Sequence, residues 1–153
     1  MDRSGSSPWL IKHEAGNLVV DFDVSPINDF VFSSDGNFVA RGNVTAYSDK
    51  RIKANIKPIT TALSKLKQIN GYQYKNLLAN KHDCGIIAQE IEKILPELVQ
   101  VSSQQFEGIE IKTVNYNGVV ALLVAANREL IARVETLEKK VHGLTVNRSN
   151  KSS

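Results

Sequence analysis

Hydrophobic positions along the chain follow two different periods, and the change falls near residue 48. Before it, Leu18, Val20, Phe22 and Val24 alternate with Val19, Asp21 and Asp23, the period-two pattern of a half-buried strand, and Pro26 ends the run. FVFSS (30–34) and NFVARG (37–42) flank Asp35-Gly36, a strong hairpin signal, and Val44 to Tyr47 gives one more strand-like run. Residues 1–47 therefore read as β or loop throughout, with few large apolar side chains per strand. Such strands need partner strands to close a core.

Beyond residue 48 the period becomes helical. Pro58 suits a first turn, Ile59, Leu63, Leu66 and Ile69 recur on one face, and Gly71 sits where a helix ends, so a helix is predicted over this stretch. Tyr72 to Leu78 reads as a strand and Asn80 to Asp83 as a polar turn. In GIIAQEIEKILPE, Ile87, Ile91 and Leu95 share a helix face until Pro96 stops it. Leu98 to Val101 and Ile109 to Val114 read as a hairpin whose polar SSQQFEG connection is longer than the tight turns. The last element is the most informative. From about Asn117 to His142, Leu123, Leu130, Leu137 and Leu144 form one heptad series, and Asn127, Val134 and Val141 form a second. That seam predicts a helix of ~39 Å that packs on copies of itself, with Gly143 ending it and NRSNKSS as a frayed tail. A buried Asn127 would pair with its copies and fix register, but the seam does not itself choose dimer or trimer. A core helix of a monomeric domain is the other reading.

Composition narrows the picture without deciding it. The 153 residues suit one domain, or one small domain with an appended segment, and 42% hydrophobic with 23% charged residues is ordinary for a globular chain. A single cysteine, Cys84, forms no intramolecular disulfide, and His13, His82 and His142 lack ligand spacing, so no metal site and no cofactor is predicted. No Gly-rich phosphate loop precedes a helix, and no small-molecule substrate is predicted. The longest apolar run, Val119 to Ala126, is too short to span a membrane and the first residues lack a signal-like apolar stretch, so the expected chain is soluble and intracellular at synthesis. A net charge of +3 is below the density usual for nucleic-acid binding, although Lys50, Arg51, Lys53 and Lys57 cluster beside Asp49.

That cluster adjoins Ser48, and a serine beside lysines permits a Ser/Lys dyad, with the hydroxyl as nucleophile and a desolvated lysine as base. Spacing alone is weak support. In an extended strand Ser48 and Lys53 would stand about 17 Å apart, and on one helix they would face apart, so a turn or a lysine from another subunit is required. Gln89, Glu90 and Glu92 read as a solvated helix face, and Cys84 as a packed residue with no histidine placed to activate it.

SDKRIKANIKPI, then ALSKLKQINGYQY, GIIAQEIEKILPELV and VNYNGVVALLVAANRELIARVETLEKKV resemble, in order and over about residues 44–142, the intramolecular chaperone domain of phage tail spikes and tail fibres, the endosialidase-type self-cleaving chaperone. Myelin regulatory factor carries a similar domain. The resemblance implies an α+β fold: a β-structured fibre end over 1–47, then a mixed helix and hairpin domain over 48–153 that ends in a coiled-coil helix. It implies a homotrimer that holds three chains in register while the β-fibre client in the same chain folds, and then removes itself by autoproteolysis. Carried over from the family motif, Ser48 and Lys53 are the dyad and Tyr47-Ser48 the bond cut, releasing 153 − 47 = 106 residues. Asp49, Arg51, Asn55, Gln89 and Glu90 match motif positions and take supporting roles. Leu123, Asn127, Leu130, Val134, Leu137 and Val141 are the trimer seam. The dyad is expected to assemble only in the folded trimer. Assembly is expected in the host cytoplasm, the fibre part passing into the virion and the chaperone part being released.

Two other functions compete with this one. One is an uncleaved trimerisation tip that stays on the fibre; the other is a basic coiled-coil DNA-binding module, disfavoured because Lys50 to Lys57 lies at the expected cleavage segment.

Overall fold

Tight turns with left-handed backbone organise the first part of the chain. The computed structural model describes residues 10–21 and 28–149, with side chains through residue 143. Leu10–Glu14 (β1) and Asn17–Asp21 (β2) pair antiparallel across Ala15-Gly16, both at positive φ. Phe30–Phe32 (β3) then pairs with β2 and with Phe38–Ala40 (β4), giving a four-stranded meander in the order β1-β2-β3-β4. The Asp35-Gly36 turn sits where the sequence put it. Gly36 has φ 84°, a conformation that favours glycine, and Asp35 holds the turn by accepting from the Asn37 backbone N–H and side-chain amide.

β1 agrees with the reading of residues 1–47 as β or loop, while two expectations in this part are corrected. On β2 the buried residues are Val19 and Asp21, while Leu18 is about half exposed, so the face that faces inward is the opposite of the apolar set. Asp21 tolerates burial because it accepts the Asp29 backbone N–H at 2.8 Å and lies 3.5 Å from Lys12. Val44 to Tyr47 forms no strand. The expectations for Phe22, Val24 and Pro26 fall outside the described residues.

The second part is assembled around a helix. Tyr116–Ser149 (α3) packs its Leu122 and Ala126 against Ala62 of Ala62–Leu66 (α1) and against Leu95, forming a small core edged by Ile59, Leu66, Ile69, Ile94 and Leu98. Gly118 has a steric reason. A Cβ there would lie 2.1 Å from Leu98 Cδ2, so glycine lets that side chain press on the helix. The helix predicted from Pro58 is shorter than expected, because Thr61 stands in the left-handed region at φ 53° and α1 begins only after it. Ala88–Glu92 (α2) buries Ile91, and Leu95 follows in the turn leading to a 3₁₀ turn at Pro96–Leu98.

Tyr72–Asn76 (β5) and Lys81–Gly85 (β6) form a two-stranded sheet whose turn lies at 77–80, so Asn80 is turn as predicted, Lys81 to Asp83 are strand instead of turn, and Leu77 and Leu78 are turn instead of strand. Asn76 Oδ1 accepts the backbone N–H groups of Leu78 and Ala79, which fixes that turn. Val99–Phe106 (β7) and Ile109–Val114 (β8) pair through a two-residue Glu107-Gly108 turn with both residues at positive φ. The long connection expected from SSQQFEG is therefore strand, and the irregularity falls between Val101 and Gln105, where the register shifts. α3 also runs through Gly143 to Ser149, past the predicted end. Leu144 falls outside the described side chains.

The architecture is thus α+β, with β-hairpins and a long helix, as the sequence indicated. Two compact units divide the chain: residues 1–54 with 76–81, and residues 55–75 with 82–153. No helix among the described residues is long and apolar enough to cross a membrane.

Candidate functional site: a serine and a lysine joined by a turn

Between β4 and α1 the chain makes one short 3₁₀ turn, Lys50–Ile52. Asp49 builds it. Its carboxylate caps the turn by accepting the Arg51 backbone N–H at 2.7 Å. The same carboxylate takes the Arg51 guanidinium in a fork, Nε at 3.1 Å and Nη2 at 2.7 Å. The Arg51 side chain first, and its backbone N–H second, hold the Asp49 carboxyl below the usual aspartate range. Ile52 N–H donates to the Asp49 carbonyl and Lys53 N–H to the Lys50 carbonyl, so the backbone folds back before resuming an extended course at Lys53.

This fold-back supplies the turn that the spacing demanded. Lys53 Nζ stands 2.7 Å from Ser48 Oγ, within one chain and across five residues. Of the two routes the spacing left open, a turn after Ser48 or a lysine from another subunit, the single chain shows the turn. Both side chains are exposed, and Tyr47 beside them is 97% exposed. A serine hydroxyl bonded to an amine can lose its proton to that amine whenever the amine is neutral, which makes it a nucleophile.

Ser48, Asp49, Arg51 and Lys53 are therefore brought together, whereas Asn55, Gln89 and Glu90 lie in the other compact unit. Asn55 takes the left-handed conformation, φ 52°, which its short polar side chain tolerates. Glu90 is a structural tie: it accepts the Tyr72 hydroxyl and the Asn70 backbone N–H, and these bonds, the hydroxyl's first, lower its pKa. Gln89 lines an open groove of about 630 Å³ with Ile87, Ile109, Ile111 and Tyr116. On α3 the predicted seam residues Leu123, Asn127, Leu130, Val134, Leu137 and Val141 are all exposed in the single chain, Leu137 at 59%. No group of three or more metal-ligating side chains occurs among the described residues.

Sequence reasoning missed Glu129. Its carboxylate accepts the Leu63 and Ala62 backbone N–H groups at 3.0 and 2.7 Å, and these two bonds lower its pKa. It thereby caps α1, whose own Thr61 makes no side-chain cap. The available signal was position: Leu122, Ala126 and Glu129 follow one another at helical spacing beside the seam.

Residues 48–100 match the family model described as chaperone of endosialidase. The long tail fiber protein Gp37 of Enterobacteria phage T2 is 39% identical over 147 residues, covering 90% of this chain and 11% of that protein. Gp37 of Salmonella phage S16 is 32% identical over 127 residues, 73% of this chain and 17% of that one. Gp37 of Enterobacteria phage M1 is 35% identical over 121 residues, 71% and 47%. The chain thus spans less than half the length of each of these relatives. Among solved structures, the carboxy-terminal domain of the bacteriophage T5 L-shaped tail fiber with its intra-molecular chaperone domain aligns over 82% of this chain and 45% of that one, at TM-score 0.38 and 11% identity. The resemblance read from SDKRIKANIKPI and GIIAQEIEKILPELV is borne out, since both stretches fall within the residues that match this family model.

Proposed function

We propose that this chain is the trimerising, self-cleaving chaperone portion of a phage tail fibre, with residues 1–47 as the end of the fibre client and 48–153 as the chaperone, cut apart at Tyr47-Ser48. The observation that carries the reading is the 2.7 Å contact between Lys53 Nζ and Ser48 Oγ at the first residue of the family match. The six exposed seam residues on α3 support self-association, since a heptad stripe bare in one chain gains most by meeting its copies. In this reading the product is virion-associated through the fibre part.

The chemistry follows from position. Ser48 directly follows the bond to be cut, so its Oγ attacks the carbonyl carbon of Tyr47 through a five-membered ring. Neutral Lys53 takes the hydroxyl proton, a tetrahedral adduct forms, the carbon–nitrogen bond breaks, and Lys53 returns the proton to the departing Ser48 nitrogen. The result is an ester between Tyr47 and Ser48 Oγ. Water then splits the ester, leaving a carboxylate on Tyr47 and the hydroxyl restored on Ser48. Asp49 and Arg51 hold the turn and touch neither reacting atom.

Holding three chains together while strands of different chains find register offsets part of the entropy of closing long-range contacts. Severing the connection afterwards removes the element that could reverse the process and leaves the fibre kinetically locked. Intact mass and native size of the wild type, Ser48→Ala and Lys53→Ala test the proposal. Wild type is expected to split at Tyr47-Ser48, with both variants whole and trimeric. If all three stay whole, the chain is an uncleaved trimerisation tip.

A further inference from the structure

Packing within one chain divides α3 by side. Leu122 and Ala126 are buried in the core, and Glu129 reaches back to cap α1, so that side of the helix is committed within the chain. The side left bare carries the seam and, next to it, Val124 and Ile131, which are 57% and 58% exposed. Written as heptads with Asn127, Val134 and Val141 at position a, the seam leucines fall at d, and Val124, Ile131 and Glu138 fall at e. Arg133 and Lys140 fall at g, and both are exposed, as is Glu138. The flank of the seam is therefore apolar along its first half and charged, acid at e and base at g, along its second.

The charged half is complementary to itself in one arrangement. Arg133 and Glu138 stand five positions apart, a spacing at which side chains on a single helix do not face each other. Between parallel helices in register that spacing is the one that meets, because a g residue of one lies beside the e residue five positions later on the other. On its own helix Arg133 follows Glu129 by one turn, but that carboxylate is already bound to the backbone of α1. A reversed copy would set g against g, bringing the basic Arg133 and Lys140 of two chains together. A parallel copy slid by one heptad would face Arg133 with Ile131 or Thr145 instead.

We propose that Arg133 of one copy pairs with Glu138 of the next, and that this pair selects a like chain as partner, parallel and in register. This rests on the trimerising reading above and names the residues that choose the partner. The leucines and valines of the seam attract any heptad stripe, whereas the charges accept only a stripe that carries their complement at the same height. Around a ring of three copies the pair recurs at every contact.

The test uses the full chain carrying Ser48→Ala as parent, so that every chain stays whole. Arg133→Glu/Glu138→Arg exchanges the two charges. The exchanged chain satisfies its own pairs, but against the parent it meets like charges on both sides. Co-produced with untagged parent, an affinity-tagged exchanged chain is expected to retrieve about tenfold less parent than a tagged parent does, while native mass shows both forming oligomers of one size. Glu138→Arg alone should dissociate at about tenfold higher concentration than the parent, and adding Arg133→Glu should restore the parent value. For orientation, Val141→Cys with Cys84→Ser should give an interchain disulfide on oxidation, since parallel copies in register bring position 141 beside itself. Equal retrieval overturns the selection, and so does an exchanged chain that stays monomeric or a Glu138→Arg chain that holds together as well as the parent. Chains that stay unlinked inside an intact oligomer overturn the parallel register. In each of these cases the parent still associates and the trimerising reading stands. A parent that is itself monomeric removes that reading and the pairing with it.

Discussion

The turn at residues 48–53 and the core beneath α3 hold their side chains in opposite ways. The turn is local: every bond that shapes it joins residues no more than five apart, and its side chains lie in water. The core is non-local: Glu129 reaches across 67 residues to the backbone of Ala62, and Leu122 is fully buried against residues from three segments. The proposed chemistry is thus placed on a device that needs no core, while the exposed heptad stripe is carried by an element that does. The two parts should be breakable one at a time.

The largest effect is expected at the turn. Ser48→Ala removes the nucleophile, and cleavage by intact mass should fall by at least ~10³-fold, with the thermal unfolding midpoint unchanged. Hydroxylamine added to cleaving wild type should intercept the ester and leave a hydroxamate on Tyr47, detectable by mass in the released N-terminal part. Its absence while cleavage proceeds would exclude the ester route. The core is next. Leu122→Ala leaves a cavity beneath α3 and should cost ~2–5 kcal/mol in denaturant unfolding, while an NMR signature of the Ser48–Lys53 contact persists. Gly118→Ala drives a methyl into Leu98 and should cost ~1–3 kcal/mol.

Smaller effects sharpen the contrast further. Asp49→Ala uncaps the turn and should slow cleavage several-fold without moving the unfolding midpoint, since the turn contributes nothing to the core. Glu129 should show the reverse. Its folded pKa lies below the unfolded value, so its stabilising contribution is complete above about pH 4.3 and is lost as pH falls through the lower folded value. Glu129→Gln should flatten that acid-side slope of the unfolding midpoint and leave the cleavage rate at pH 7 alone.

Much of this was legible in the chain. The Asp35-Gly36 turn, the strand that became β5 and the long helix followed from turn chemistry and period, because local preference and final structure agree there. The misses share a cause. α1 is short because a left-handed Thr61 interrupts an apolar period that would otherwise run on, and its start is capped from a distant residue that no local motif reveals. β6 and the middle of β7 are strand despite polar composition, since pairing to a neighbour overrides propensity in a hairpin. At the site, the family motif named Ser48 and Lys53, but spacing alone argued against their contact until the Asp49 cap folded the chain back. Glu90 was assigned a supporting role on motif grounds, and its partners are Tyr72 and Asn70.

The locality of the turn also orders events in time as the chain is made. Lys53 leaves the ribosome 88 residues ahead of Val141 (141 − 53), which at about 5–20 residues per second is a lead of roughly 4–18 s. Throughout that interval the reactive pair can form while the helix that gathers the copies does not yet exist. On the self-cleavage reading proposed above, a pair that fired on formation would detach the upstream residues before α3 had been synthesised.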